Sequence, residues 1–196
     1  MTNTNDTDHT TSDDRAARAF LRDVFTLTTD AGRVAAALNP ATPASTLDLL
    51  AHDTDWRVRE AVARHPSTPA DTLTTLASSR ELTVRRVVAQ NPSTPTTTLS
   101  QLAGDREWLV REATARHHST PPATLARLSS DRDADVRVAV ALHPSTPPAS
   151  LTKLASDVNG WVRQAAARNP STPADTLALL ASDGVEWVRS AAARRI

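Results

Sequence analysis

The sequence predicts an all-α solenoid, and three observations carry that prediction. A phrase of 26 residues, clearest at Asn169–Arg194 (NPSTPADTLALLASDGVEWVRSAAAR), recurs six times, with copies starting at Asn39, His65, Asn91, His117, His143 and Asn169. Within each copy, apolar residues fall at helical spacing, punctuated by Thr-Pro and Asn/His-Pro steps. No stretch alternates apolar and polar residues with period two, so no strand is expected. A fixed period in this range marks stacked units, each too small to bury its own apolar face.

Numbering each copy 1–26 makes the design legible. Position 4 is threonine and position 5 proline in all six copies, from Thr42-Pro43 to Thr172-Pro173. Threonine before proline reads as a helix start, the hydroxyl capping free N–H groups and proline filling the first helical position. Asp71 and Asp175 suit the positive end of that helix. Positions 9 and 12 are always leucine and share one face of a first helix, which ends near position 13. Aspartate at position 15, replaced by Ser79 in the second copy, reads as the cap of a second helix. That helix carries Val-Arg at positions 20–21 and alanine at 25 in every copy. It stops where Asn-Pro or His-Pro forces an extended residue.

Before the array, residues 1–14 (MTNTNDTDHTTSDD) are polar and acidic and read as a disordered tail. Residues 15–38 read as two N-terminal capping helices, Arg15–Leu27 and Ala31–Leu38. Moving the frame back one period puts Leu21, Val24 and Arg33 at positions 9, 12 and 21 of a degenerate unit with an altered face bearing Phe20 and Phe25. Residues 39–196 form the solenoid proper. After the last copy come Arg195-Ile196, with no dedicated polar cap expected there.

Acidic and basic residues balance at 22 each, which gives no global pull toward nucleic acid or an anionic membrane. All basic residues but Lys153 are arginine. Zero cysteine excludes disulfides, thiolate catalysis and cysteine-ligated metal. Without an export signal or a membrane segment, the chain reads as cytoplasmic.

The phrase NPSTPADTLALLASD followed by WVRSAAAR resembles the leucine-rich repeat variant, a bacterial repeat with a proline-containing loop, Leu-x-x-Leu-Ala, aspartate and Val-Arg. The resemblance covers Asn39–Arg194. It implies a right-handed superhelix of paired helices, one of them with 3₁₀ character, and no sheet. Some relatives couple the array to a cysteine-rich iron–sulfur segment, which does not carry over to a chain without cysteine. The family offers no common catalytic activity to transfer.

Candidate sites divide into residues that recur and residues that do not. The position-21 arginines form a ladder suited to anions. Recurrence in every copy favours an architectural role, toward the capping aspartate or loop carbonyls of a neighbouring unit. Tryptophans do not recur: Trp56 and Trp108 stand at position 18, Trp161 and Trp187 at position 19. On a helical wheel, positions 18 and 22 point away from the core, giving an outer stripe of Trp56, Glu60 and Arg64, then Trp108, Glu112 and Arg116. Arg57, Trp161, Arg168, Trp187 and Arg194 stand at its edge, where Trp161 and Trp187 read as packing residues. Exposed tryptophan and arginine are the types enriched at binding hot spots. The proposed partner-binding set is Trp56, Arg57, Arg64, Trp108, Arg116, Trp161, Arg168 and Trp187.

His65, His117 and His143 alternate with asparagine at position 1 and are spread along the stack, whereas a metal needs convergent ligands. Asp131–Asp135 mimics the opening of a calcium loop, but Val136 and Leu142 stand where glycine and glutamate are required. No catalytic grouping stands out, and no cofactor or metal is expected. The reading is a non-enzymatic scaffold that binds a protein or peptide. The alternative is a nucleic-acid binder with an arginine-rich face.

Overall fold

The computed structural model describes residues 29–196. The acidic tail and the Arg15–Leu27 helix with Phe20 and Phe25 lie outside the described residues. Among the described residues there are thirteen α-helices and no strand. Each copy gives a short helix over positions 6–12, such as Thr96–Leu102, and a long one starting at position 18, such as Trp108–Arg116. The expected Ala31–Leu38 helix is present as Asp30–Leu38, the first long helix of the described array.

Each long helix packs on the long helices of the units before and after it, while each short helix packs on the long helices flanking it in sequence. The result is a solenoid of two layers. Its core is the repeat itself. The valines at position 20 (Val58, Val84, Val110, Val136, Val162, Val188) are completely buried, and the leucines at positions 9 and 12 nearly so. Each such leucine contributes about 1.5–3 kcal/mol of burial, which no unit attains without its neighbour. Alanines at positions 23 and 25 let the long helices approach closely. The short helices are α-helical and not 3₁₀: the amide of Leu99, for example, bonds the carbonyl of Pro95, four residues back.

Two capping expectations are corrected. The residue before each short helix is the proline of position 5, and it makes no side-chain cap. The threonine of position 4 turns backward. Its hydroxyl donates to the position-24 carbonyl of the preceding long helix, as in Thr68 to Val62, Thr94 to Val88 and Thr120 to Thr114, at 2.5–2.6 Å. It therefore closes one helix and does not open the next. Its own amide bonds the carbonyl of position 1, closing a four-residue turn whose second residue is proline in every copy but the fourth, which has His118, and proline's fixed φ is favoured there. The position-15 aspartate is likewise not the N-cap of the long helix. That place belongs to position 17, where Asp55, Asp133 and Asn159 accept from a helix amide.

Candidate functional site

The recurring polar residues are engaged inside the array. Arg111 shows the pattern. Its Nε and Nη2 donate to the two carboxylate oxygens of Asp131, in the next unit, at 2.6 and 2.9 Å. Its Nη1 donates to the carbonyls of Asp105 and Arg106 in its own loop. The fork-to-fork geometry is the strong form of this pair, and both side chains are 7% exposed. Arg33–Asp53, Arg85–Asp105, Arg137–Asp157 and Arg163–Asp183 repeat it. Asp131 itself accepts from the amide of Asp133, which orients its carboxylate. Burial pushes the Asp105, Asp131 and Asp157 carboxyls up, but the arginine bond, the loop amide and the local positive charge outweigh it and hold them below their ordinary value.

Ser79 breaks the ladder, and the structure repairs it two residues on. Glu81 accepts from Ser79 Oγ and from Arg59 Nη2, both at 2.7 Å. The Ser79 hydroxyl first, then Arg59, bring Glu81 down from 4.5 to about 2. The sequence contains this substitution, but nothing in the spacing identifies Glu81 as the replacement.

A second ladder uses position 1. The ring Nδ1 of His65, His117 and His143 accepts from the amide two residues on, which leaves the proton on Nε2. Nε2 then donates to the position-1 carbonyl of the preceding unit, His117 to Asn91 and His143 to His117. Asn91 and Asn169 make equivalent bonds, Oδ1 accepting the amide and Nδ2 reaching the position-1 carbonyl of the previous copy and the position-25 carbonyl of the copy before that. Histidine and asparagine interchange because each presents an acceptor and a donor at matching places. Arg195, one period after Asn169, donates to the carbonyls of Arg168, Asn169 and Pro170 at 3.1, 2.6 and 3.2 Å. Arg195 thus takes the place, after the sixth copy, that histidine or asparagine takes at position 1.

Protonating a ladder imidazole turns Nδ1 from acceptor to donor against an amide. Burial holds His117 and His143 below the ordinary histidine value, and the carbonyl bond opposing it does not prevail. The unfolded chain therefore takes up these protons first, near its reference value of about 6.5. Stability from these histidines is complete above about pH 6.5 and declines as pH falls below that toward their folded-state values. A variant carrying His117→Asn and His143→Asn should lose less of its urea midpoint than the parent between pH 7 and 5. Equal losses in the two proteins would remove these rings as the cause. A separate loss, from the ladder aspartates, begins as pH falls to the ordinary aspartate value of about 3.9 and continues toward their lower folded-state values.

The non-recurring residues lie on the solvent side of the long-helix layer. Trp56 and Trp108 are each 38% exposed, and the half-buried Leu82 occupies the same helix position in the unit between them. The Arg57 guanidinium lies 5.6 Å from the centroid of the Trp56 ring, a cation–π contact. Arg64 pairs with Glu60 at 2.6 Å, and Arg116 pairs with Glu112. Glu60 and Glu112 are half-buried, so position 22 sits lower on this face than the helical wheel implied. Trp161 and Trp187 stack on one another, ring centroids 4.6 Å apart at 29°. Trp161 remains the most exposed of the four. The eight proposed residues therefore form two groups, one around Trp56 and Trp108, the other around the Trp161–Trp187 stack with Arg168.

Among the described residues, no group of His, Asp or Glu is placed to hold a metal, and no helix is long and apolar enough to cross a membrane. Stacked helix pairs joined by unit-to-unit ladders define the molecule as an α-helical repeat scaffold. Residues 56–81, 134–159 and 160–184 match the family model described as leucine rich repeat variant, each counted from the start of a long helix. The resemblance read in the sequence is thereby borne out over these three stretches. A solved structure described as a leucine-rich repeat variant with a novel repetitive protein structural motif is similar at 29% identity and TM-score 0.65, over 93% of this chain and 76% of that one. An engineered protein of known structure is 18% identical at TM-score 0.48, over 77% of this chain and 94% of its own. No curated protein matches the chain. Both family and fold are those of a repeat scaffold and not of a known enzyme class.

Proposed function

We propose that the protein is a non-enzymatic scaffold whose long-helix face binds a protein or peptide partner. One observation supports this reading above the others. The polar residues that recur in the copies are engaged within the array, whereas the residues that break the repeat, the tryptophans foremost, stay at the surface. Trp56 and Trp108, with Leu82 between them, give two aromatic anchors two units apart. Arg57 and the Arg64–Glu60 and Arg116–Glu112 pairs surround them with charge. A few large anchors amid near-neutral contacts is the usual energetic pattern of a protein interface. The nucleic-acid alternative loses its main basis, because the forks of the position-21 ladder are turned toward aspartates and loop carbonyls.

The double variant Trp56→Ala, Trp108→Ala tests the reading. Both rings are partly exposed, so the fold should persist at a cost of about 2–4 kcal/mol for the pair. Capture of the main partner from an extract of the native host should be lost. A folded double variant that still captures it would place the binding surface elsewhere.

A further inference from the structure

The second tryptophan group borders a cavity. Beside the Trp161–Trp187 stack, between the long helices Gly160–Arg168 and Glu186–Ala193, lies a pocket of about 420 Å³. Its lining includes Gln164, Arg168, Trp187, Ser190, Ala191 and Arg194, with Glu186 also present. Comparison with the other copies explains why it is open. Position 22 carries Glu60, Arg86, Glu112, Val138 or Gln164 elsewhere, but here it is Ser190. The small side chain leaves the space unfilled. Gly160 does the complementary work at position 18, where a β-carbon would stand 2.7 Å from Cη2 of Trp187. Glycine thus seats the Trp187 ring where it walls the pocket.

The same substitution changes the electrostatics. Arg64 and Arg116, at position 26, are tied to glutamates at position 22. Arg168 and Arg194 occupy the same helix position above Gln164 and Ser190, which carry no charge. Among the described residues neither forms a salt bridge. Two exposed guanidinium groups therefore flank a floor of Ala191 and Trp187, and Arg195 lies beside them, held by backbone carbonyls. Its volume falls within the range of ligand sites, about 300–1,000 Å³.

We propose that this pocket binds a peptide segment that carries a carboxylate beside a large apolar side chain. The guanidinium forks of Arg168 and Arg194 take the carboxylate. Trp187 and Ala191 receive the apolar group, and the Gln164 amide and Ser190 hydroxyl serve the peptide backbone. The apolar floor and the presence of Glu186 favour a single carboxylate next to hydrocarbon over a phosphate dianion. The proposal rests on reading the array as a peptide-binding scaffold, but it does not depend on Trp56 or Trp108.

The four indole N–H signals in a ¹⁵N-correlation spectrum of the intact protein provide the test. Titration with acetyl-Gly-Glu-Leu-Gly-amide should shift the Trp161 and Trp187 signals saturably and leave those of Trp56 and Trp108 in place. The Gln-for-Glu version of the peptide should bind at least tenfold more weakly to the same protein, a comparison that needs no variant. Arg168→Ala with Arg194→Ala should weaken binding at least tenfold while all four indole signals remain dispersed. Gly160→Ala, which displaces the Trp187 ring, should weaken it as well. Absence of a saturable shift, equal binding of the neutral peptide, or saturation by inorganic phosphate alone would overturn the proposal. Shifts confined to Trp56 and Trp108 would overturn it while leaving the broader scaffold reading in place.

Discussion

Arg111→Ala should destabilise the protein by about 3 kcal/mol, the effect of removing one partner from a buried ion pair. The change strands Asp131, 7% exposed, with a carboxylate that had received two donors from the guanidinium. It also removes the donor to the Asp105 and Arg106 carbonyls, so one loop and one unit boundary are weakened together. The second copy supplies the internal comparison. Arg59 is paired with Glu81, whose side chain is 33% exposed and can be rehydrated when the guanidinium is removed. Arg59→Ala should therefore cost about 1 kcal/mol, nearer the value of a solvated pair. Urea unfolding of both variants beside the parent measures the contrast. Equal costs would show that the aspartate fork contributes no more than an exposed bridge, and the architectural reading of the ladder would fail.

Thr94→Val should cost about 1 kcal/mol, whereas Thr94→Ser should cost a fraction of that. Valine preserves the shape of threonine and removes only the hydroxyl. That hydroxyl is buried and donates to the carbonyl of Val88 at 2.5 Å, at the end of the long helix Leu82–Gln90. Without it the Val88 carbonyl keeps only the amide of Asn91 as a donor, and the buried bond that ties the loop back to the helix is lost. Serine keeps the donor and loses one methyl group. The two variants separate the observed role, closing the preceding helix, from simple packing. If valine were tolerated and serine were not, the methyl group would be the part that matters.

These two residues also show which parts of the molecule are legible in sequence. The helix pairs, the leucine and valine core and the unit boundaries follow from period and apolar spacing, because every unit obeys the same packing constraint. Recurrence alone was enough to assign Arg111 and its counterparts to a neighbouring aspartate or loop carbonyls, and the structure makes use of both. In the sequence alone, Thr94 reads as part of the wrong helix. Its distance from proline is the same in either role, and only the tertiary path of the loop turns its hydroxyl backward. Glu81 was missed because its task arises from the loss of aspartate at Ser79, two residues away. The pocket beside Trp187 was missed for a similar reason: it is created by what Ser190 and Gly160 lack. The sequence marks those places as exceptions, but only coordinates show that the two exceptions border the same space.

The bonds that recur between units span fixed intervals, with Arg59–Glu81 as the exception in its ladder. The arginine forks reach 20 residues ahead, the imidazoles reach 26 residues back, and hydroxyls such as Ser100 and Thr124 meet across 24. Duplication or excision of one whole unit therefore leaves each of these groups facing a partner of the right kind. Loss of a single residue within a unit displaces all of the bonds that cross it. A gene encoding such a chain can lengthen or shorten in steps of one unit without inventing a new interface. The outer face does not share that freedom, since Trp56, Trp108 and Trp187 each belong to one particular step. Inserting a unit between the first two would move a pair of anchors apart by a full step of the stack while leaving the core intact, so that evolution can tune the reach of the scaffold separately from its stability.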